Sequence, residues 1–351
     1  MSIASSGLTC PVPASEADRV LLGHGSGGKL SAALLRERFL PRFGNEVLSV
    51  LGDAAVVATP GEEIAVSTDS FVVSPLEFPG GNIGHLAVHG TVNDLAMMGA
   101  EPLYLTAGFI LEEGLPFDVL DRVIEAMSES ASEAGVIVIT GDTKVVERGK
   151  ADGMFINTTG IGRLAPEFRP GPTRARDGDV VLVSGPIGRH GVAIMAARED
   201  LRFEVEVESD TACLAPLVES LRVACGPAIR CLRDPTRGGV ASALNEIAAS
   251  SGVGIRLEEG DLPIPGPVRA ACEMLGLDPL YVANEGILVA IVAPEAAEAS
   301  LEALRSHATG VSAARVGTVT AERPGLVLLR TGLGASRVVD MLPGDQLPRI
   351  C

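Results

Sequence analysis

The 351-residue chain is acidic and rich in apolar residues, with 45 Asp and Glu against 28 Lys and Arg and with 46% hydrophobic residues. Its net charge of -17 opposes attraction to a phosphate backbone, which argues against nucleic acid as a partner. The sequence contains neither an apolar run of about 18 residues nor a basic start followed by an apolar run, so we expect no membrane span and a cytoplasmic location.

The six cysteines include no C-x-x-C pair. This spacing indicates neither a zinc site nor a disulfide framework, and most of the thiols are expected to be buried. The last of them, Cys351, is the final residue of the sequence.

The first half of the chain alternates between strand-like and helix-like segments. We predict a flexible arm over residues 1–18 and a glycine-rich turn that leads into a helix over 29–40. The following strands are predicted at 47–58, 64–73, 103–111, 136–140 and 154–162, with helices at about 82–98 and 117–134. This alternation indicates an α/β domain over residues 19–165.

A segment rich in Pro, Arg and Gly, residues 163–179, interrupts the alternation and is the best candidate for a domain boundary. A second alternating set starts at residue 180 and includes helices near 237–250 and 294–306, which indicates a second α/β domain over 176–331. Residues 332–351 carry Gly and Pro at intervals too short for a helix, so we predict a mobile, extended tail.

The glycine-rich turn GHGSGGKL comes close to two phosphate-binding motifs and satisfies neither in context. A P-loop needs Ser or Thr after the lysine, where this chain has Leu30, and a dinucleotide fingerprint needs a well-formed strand before it. A purely structural turn remains an alternative. We favour a loop whose backbone N–H groups cover phosphates. Its candidate nucleotide-binding residues are Gly25, Ser26, Gly27, Gly28 and Lys29.

Four aspartates follow apolar, strand-like runs. They are Asp53, Asp69, Asp94 and Asp142. One such Asp is usually a turn former or a helix cap, but four in one domain favour Mg²⁺ held by carboxylates together with phosphates. Thr143 and Lys144 add a hydroxyl and a cation where phosphoryl charge would develop, although a solvated surface lysine is an open alternative.

Nine motifs together resemble the HypE family of hydrogenase maturation factors, the carbamoyl dehydratases. The motifs are GHGSGG, STDSFVV, FPGGNIGHLAVHGTVNDLAMMGAEP, GFILEEGLP, TGDTKVVERG, FINTTGIG, DPTRGGVA, ANEG and the terminal PRIC. The resemblance extends from Val20 to Cys351. It implies the two-domain fold of aminoimidazole ribonucleotide synthetase, an α/β (α+β) fold with mixed sheets flanked by helices and a flexible C-terminal tail. The glycine loop, the Asp motifs and DPTRGGV are expected in outline also in selenophosphate synthetase and thiamine-monophosphate kinase, whereas the PRIC terminus separates the HypE family from them.

The resemblance also implies an activity and a set of partners. Cys351 would receive a carbamoyl group from the carbamoyltransferase HypF, and the adduct would be dehydrated with ATP and Mg²⁺ to a thiocyanate. The cyanide would pass through the HypC–HypD scaffold to the iron of [NiFe]-hydrogenase. The family forms a homodimer, in which the first-domain sheets pack together and the glycine loop of one subunit closes the nucleotide site of the other.

Residue roles follow from the same resemblance. Cys351 is the modified residue, Lys144 the phosphate-stabilising cation, Glu285 the base for the amide protons and Asn284 the group that orients the amide. Further nucleotide-binding residues would be Asp69, Asn93, Asp94, Thr143, Asp234 and Arg237. The metal ligands would be Asp53, Asp69, Asp94 and Asp142. Some members of the superfamily carry paired aspartates where this chain has the single Asp53, which leaves the number of metal ions open.

Several alternatives stay open at this point. A turn-forming role for Glu285 and a helix cap at Asp234 are possible without the resemblance. His85 and His89 are spaced for a metal pair, but the surrounding segment predicts hydrogen-bonded core histidines. The rival functions are a small-molecule kinase or amidine-forming synthetase of the same superfamily, and a carrier that only displays a modified Cys351. About 17 residues of extended tail would reach about 55 Å, far enough to enter the protein's own cleft and to meet a partner.

Overall fold

The computed structural model describes residues 19–21, 33–46, 64–165, 167–199, 201, 205–341 and 350–351. The predicted arm at 1–18, the glycine-rich turn with Lys29, the strand at 47–58 and Asp53 lie outside the described residues.

Two β-sheets with helices packed on them organise the described chain. The helices are α1 (Leu40–Phe43, after a π-helical turn at Leu35–Phe39), α2 (Ile83–Met97), α3 (Phe117–Glu133), α4 (Arg189–Arg198), α5 (Ala215–Cys225), α6 (Gly239–Ser251), α7 (Gly266–Leu275) and α8 (Ala297–Arg305). The strands are β1 (Ile64–Phe71), β2 (Glu77–Phe78), β3 (Gly81–Asn82), β4 (Ala100–Glu112), β5 (Ile137–Val146), β6 (Met154–Leu164), β7 (Val180–Val183), β8 (Ile229–Arg233), β9 (Gly254–Glu258), β10 (Val289–Val292), β11 (Ala314–Thr320), β12 (Val327–Arg330) and β13 (Ser336–Val339).

The first sheet has the strand order β1-β6-β4-β5, with β4 and β5 parallel and the other neighbours antiparallel. Helix α2 packs on one face of this sheet and also contacts α5 and β8 of the second half. Because both sides of α2 are covered, nearly all of its residues are buried. The Asn82 side chain accepts hydrogen bonds from the backbone N–H groups of Gly84 and His85 and so caps the start of the helix.

The opposite face of the first sheet is open in the described chain. Along β1, exposed residues alternate with more buried ones, as expected for a strand with one covered face. Exposed apolar side chains on three of the four strands are Ile64, Val66, Ile110 and Ile137. This open face therefore presents apolar side chains that no helix of the described chain covers.

The second sheet has the order β13-β12-β9-β11-β7-β10-β8 and is antiparallel except for the β12–β9 pair. Strands β7 and β10 are buried at every position, because their residues alternate between two apolar clusters. Val181 and Val289 join the cluster that contains α6, whereas Leu182 and Ala290 join the cluster that contains α5 and α8.

The predicted class, two α/β units with mixed sheets flanked by helices, is confirmed. Two predicted boundaries were wrong. Strand β5 does not end at residue 140 but continues to Val146, because β4 pairs with it along its whole length. The tail does not begin at residue 332, since Ser336–Val339 pairs with β12 as an edge strand. In the part of the chain that the structure describes, no helix has the length and apolar character needed to span a membrane.

Candidate active site

The last two residues of the chain are buried between the two halves of the molecule. The backbone oxygen of Cys351 accepts a hydrogen bond of 3.1 Å from the N–H of Val72, directly after β1. The carbonyl of Ile350 accepts one of 2.5 Å from Nε2 of His190 on α4. The Ile350 side chain belongs to the same apolar cluster as Phe71. The end of the chain thus occupies the protein's own cleft.

The sulfur of Cys351 lies beside a cation and a buried carboxyl group. Nε of Arg237 donates a hydrogen bond to Sγ at 3.3 Å. Burial, and then the charge of Glu285, raise the pKa of the Cys351 thiol to about 12, although Arg237 opposes the shift. Because the thiolate is the nucleophilic form, the unmodified thiol is unreactive in this position at neutral pH.

Glu285 and four acidic residues whose charges act on it form what we call the carboxylate cluster. They are Asp69 on β1, Asp94 on α2, Asp210 in the segment before α5, Asp234 directly after β8 and Glu285 before β10. Sequence analysis had singled out four of them, all but Asp210. The two sheets thus each contribute acids to one site.

Burial raises the pKa values of four acids of the carboxylate cluster, and repulsion between acids adds to the rise at Asp94, Asp234 and Glu285. Burial, followed by the charge of Asp94, raises the pKa of Asp234 to about 7. Burial is also the largest cause at Glu285, whose pKa is raised well above its ordinary value, and the other four acids add to it. The pKa of Asp94 is raised by burial although Ser67 donates a 2.6 Å hydrogen bond to its carboxylate. Such shifts are typical of functional sites.

The loop that carries Glu285 is held by its neighbours rather than by Glu285 itself. The carboxylate of Asp210 accepts hydrogen bonds from the backbone N–H groups of Glu285 and Gly286 at 3.2 and 3.3 Å. Burial raises the pKa of Asp210 to about 6. A Cβ on Gly286 would lie 1.6 Å from the Asp210 carbonyl oxygen, so only glycine fits there. Within the described residues, the buried Oε1 of Glu285 has no hydrogen-bond partner.

Two asparagines of the predicted site are hydrogen-bonded to backbone groups in this structure. Asn284 accepts from the N–H of Gly188 at 2.6 Å and donates to the carbonyls of Pro235 and Val282. Asn93 donates to the carbonyl of Ala212 and accepts from the N–H of Leu214 in the same manner. Both amides therefore position the loops around the site.

Asp142, Thr143 and Lys144 lie away from the carboxylate cluster of their own chain. The pairing register places Asp142 in one row with Gly108, Asn157 and Ser70, three strand spacings from β1. At about 4.8 Å per spacing, this separation is about 14 Å. The side chains of Lys144 and Asp142 are 64% and 69% exposed and form an ion pair of 3.2 Å.

The donor chemistry of the carboxylate cluster fits magnesium. All candidate ligands are oxygens, and a buried carboxyl oxygen of Glu285 has no partner within the described part of the chain. A cation would relieve the repulsion that helps to raise the pKa of Glu285. Among the described residues, no three His, Cys, Asp or Glu side chains already surround one point. Mg²⁺ would therefore be held by some of these carboxylates together with phosphate oxygens of the nucleotide, as is usual for this ion.

The prediction of hydrogen-bonded core histidines is confirmed for His89, whereas His85 is hydrogen-bonded but only half-buried. Nδ1 of His89 lies 3.1 Å from Oγ1 of Thr211, and Nδ1 of His85 accepts from the backbone N–H of Asn82. Burial, followed by the charge of His85, lowers the pKa of His89 to about 3. Among the described residues, Nε2 of His89 has no partner.

Two residues near the site, His190 and Asp210, were not predicted as functional from the sequence. His190 follows a Gly-rich turn after β7 with no partner motif nearby, and Asp210 does not follow an apolar run. Burial lowers the pKa of His190 to about 4, so its ring is neutral at physiological pH. Only the fold brings His190 to the end of the chain and Asp210 to the Glu285 loop.

Comparison with known proteins adds a second line of evidence. The chain matches the family models for the N-terminal domain of AIR synthase related protein over residues 51–164 and for its C-terminal domain over residues 176–328. The carbamoyl dehydratase HypE of Azotobacter vinelandii is 55% identical over 328 residues, which cover 93% of this chain and 96% of that relative.

Two solved structures are similar over nearly the whole chain. A crystal structure of hydrogenase maturation protein HypE in complex with ATP matches with a TM-score of 0.91 and 51% identity, covering 94% of this chain and 99% of that chain. The crystal structure of a HypE–HypF complex matches with a TM-score of 0.78 and 49% identity, covering 88% of this chain and 100% of that chain.

Proposed function

The chain belongs to the HypE family of carbamoyl dehydratases, and from this premise we propose that it dehydrates the S-carbamoyl adduct of its own Cys351 to a thiocyanate with ATP. The thiocyanate supplies the cyanide of the [NiFe]-hydrogenase iron centre. The buried position of Cys351 beside Glu285 and Arg237 is the observation that supports this function most directly. In this position the proposed substrate residue lies next to two of the proposed functional groups, which supports a reaction on the protein's own tail.

The reaction needs ATP because an amide oxygen is a poor leaving group. The carbamoyl oxygen attacks the γ-phosphorus of ATP and displaces ADP. The C–O bond then breaks, phosphate leaves with that oxygen, and the nitrogen loses both protons as the C≡N bond forms. Adduct and ATP thus give thiocyanate, ADP and phosphate.

Glu285 is the base for the amide protons in this proposal. A carboxylate whose conjugate acid has a raised pKa accepts protons more readily than an ordinary glutamate does. Its Oε1, for which the described residues offer no hydrogen-bond partner, is available for an N–H of the carbamoyl group. Arg237 holds the sulfur, and Asp210 and Asn284 position the Glu285 loop, which revises the role first predicted for Asn284.

The other acids serve the nucleotide in this proposal. Asp69, Asp94 and Asp234 would hold Mg²⁺, with Asp53 from outside the described residues. Mg²⁺ supplies neutralisation of phosphate charge when bound. The glycine-rich turn, which lies outside the described residues, would cover the phosphates, as its sequence predicts. We propose an ATP-binding domain over residues 19–165 and a second domain over 176–331. The tail of this proposal begins after Val339, because Ser336–Val339 is paired with β12.

Lys144 can serve this reaction only from a second subunit. The backbone of Cys351 is bound next to β1, whereas Lys144 lies on β5, three strands away. The four-carbon stem of a lysine cannot span about 14 Å. We therefore propose a homodimer in which the open faces of the two first sheets pack together and Asp142, Thr143 and Lys144 of one subunit approach the site of the other. The exposed Val66 and Ile110 on that face support the proposal.

Two partner exchanges complete the proposed cycle. A relative forms a complex with HypF, and we infer that the same carbamoyltransferase loads Cys351 here. Since the docked thiol is buried and protonated, loading requires the tail to leave the cleft. The HypC–HypD scaffold receives the cyanide, and the exchange takes place in the cytoplasm.

Deleting the last four residues tests this function against the rival enzymes. The truncated protein is expected to lose all ATP turnover that depends on HypF and carbamoyl phosphate, while it still melts cooperatively near the parent temperature. A small-molecule kinase or synthetase would keep its turnover after this deletion, and that outcome would reject the proposal. A mere carrier would show no ATP turnover in the parent protein either.

A further inference from the structure

A continuous chain of hydrogen bonds connects the end of the tail to the body of the protein through His190. Nε2 of His190 lies 2.5 Å from the carbonyl oxygen of Ile350, and Nδ1 lies 2.8 Å from Oγ of Ser209. The same Oγ accepts a hydrogen bond of 3.1 Å from the backbone N–H of Thr211. A carbonyl can only accept, so Nε2 carries the proton. The Ser209 hydroxyl then donates to Nδ1, and this fixes the tautomer.

The His190 ring is fixed by packing and by two hydrogen bonds, one of them to the tail. It is fully buried, and the ring of Phe78 packs against it edge to face at 5.6 Å between centroids. Both ring nitrogens are occupied, one by Ile350 and one by Ser209. His190 therefore has no free nitrogen with which to act on the carbamoyl group.

The helix that carries His190 is also joined to the Glu285 loop. The N–H of Gly188, before α4, donates to Oδ1 of Asn284 at 2.6 Å, and the N–H of Gly191 donates to the carbonyl of Ala283 at 3.1 Å. The group that holds the tail and the loop that holds the base thus share one backbone framework. A fixed Ile350 carbonyl fixes the next residue, Cys351, relative to Glu285.

We propose that His190 is the positioning residue of the tail, whose Nε2–H holds the Ile350 carbonyl and thereby sets where the Cys351 sulfur lies against Glu285 and Arg237. The catalytic benefit of this positioning rests on the proposed dehydration. The docking of the tail by His190 can be measured without that reaction. Recognition of a backbone carbonyl also leaves the hydrogen bond unchanged when the cysteine side chain is free, carbamoylated or cyanated.

Loss of the donor leaves the Ile350 carbonyl buried without a partner, which opposes docking. We expect the undocked fraction of the tail to rise about tenfold, equivalent to about 1.4 kcal/mol. The undocked thiol is exposed to solvent and ionises near its ordinary pKa, so it reacts with alkylating reagents that the docked thiol resists.

The test measures alkylation of Cys351 by iodoacetamide in the full-length, unmodified protein without ATP, followed by mass spectrometry of the C-terminal peptide. His190→Leu removes the donor, and His190→Gln keeps an N–H near the Nε2 position. His307→Leu is the matched control, because His307 also pairs with a serine, Ser220, at 2.6 Å but away from the tail. We expect about tenfold faster alkylation in His190→Leu and rates near the parent in the other two variants.

Two outcomes would overturn the proposal. One is an unchanged alkylation rate at Cys351 in His190→Leu. The other is an equal rise at the buried Cys231 and Cys272, which would mean general loosening of the fold.

A second readout uses the carbamoylated protein. His190→Leu is expected to slow dehydration at saturating ATP while the KM for ATP stays unchanged, and His190→Gln is expected to restore the rate. A changed KM with an unchanged maximal rate would contradict a positioning role. If the parent protein shows no dehydration, the proposed function fails, and the alkylation rates still decide the role of His190.

Discussion

Single residues of the site combine burial with charge in a way that a folded protein normally avoids. Glu285 is buried among four other acids, and its pKa is raised well above the ordinary value. In this situation the neutral form of the carboxyl group is favoured, and an approaching cation would favour the ionised form. The empty cluster is therefore expected to lower the stability of the folded protein. Binding of Mg²⁺ and nucleotide is expected to offset this loss.

Glu285→Gln tests the role of this acid as the base. We expect dehydration to slow by about 10²–10⁴-fold, the usual loss for a general base. The substitution is expected to increase stability although it slows the reaction. Because the pKa of Glu285 is raised in the folded state, the parent loses stability as the pH rises above the ordinary glutamate range. The variant is therefore expected to melt at a higher temperature than the parent at pH 8. Single-turnover rates and thermal melts measure the two effects. A rate within threefold of the parent would remove Glu285 from the mechanism.

His89 gives a pH dependence that is independent of catalysis. Its folded pKa of about 3 lies below the ordinary value of 6.5, so its contribution to stability is complete above pH 6.5 and is lost as pH falls toward 3. The slope is up to about 1.4 kcal/mol per pH unit. Between pH 6.5 and 5, the parent is expected to lose up to about 2 kcal/mol more than His89→Gln in urea unfolding. His307→Gln is the control, and parallel pH profiles for parent and His89→Gln would contradict the account.

Elements that are buried on both sides were predictable from the sequence, and edge elements were not. Continuous apolar runs marked β7 and β10, and an apolar-rich segment marked α2, because burial favours apolar side chains. Beyond Thr140, the second half of β5 faces outward and lacks such a run, yet β4 pairs with it to Val146. The edge strand β13 escaped prediction for the same reason.

The same contrast decided which site residues could be predicted. Asp94, Asp234 and Glu285 stand in recognisable motifs, and the structure brings them together. Asp142 stands in an equally clear motif, but its place on β5 depends on strand pairing rather than on local pattern. His190 needs a contact with Ile350 across 160 residues, and no local pattern encodes such a contact.

At the level of the Glu285 loop, Gly286→Ala is expected to break the contact with the segment around Asp210. The added Cβ would lie 1.6 Å from the Asp210 carbonyl oxygen, so the loop must move. We expect a loss of about 1–3 kcal/mol in the free energy of unfolding, measured in urea, together with loss of dehydration. Gly266→Ala is the matched control, since its Cβ would meet nothing within 4 Å. Equal stability of the two variants would contradict the assigned loop geometry.

For the whole molecule, the account requires two copies of the chain. Val66→Asp combined with Ile110→Asp puts charges on the open face of the first sheet, and sedimentation is expected to show monomers in place of dimers. The control is Val311→Asp, on an equally exposed valine of the second half. A parent protein that sediments as a monomer would contradict the proposed dimer.

Mixed dimers test whether Lys144 acts from the partner subunit. Lys144→Ala and Glu285→Gln are each expected to be inactive alone. Co-refolded together, they are expected to regain dehydration, because one site of the mixed dimer then has both residues. No recovery in verified mixed dimers would mean that Lys144 serves its own chain or has no role.

The mass of the C-terminal peptide is the most direct test of the central claim that the protein acts on its own last residue. The chain is carbamoylated by HypF, separated from it, incubated with Mg-ATP and digested for mass spectrometry. The account predicts that the peptide ending in Cys351 loses the mass of one water while ADP and phosphate form in equal amounts. An adduct that keeps its mass while ATP is consumed, or a loss of water without ATP, would contradict it.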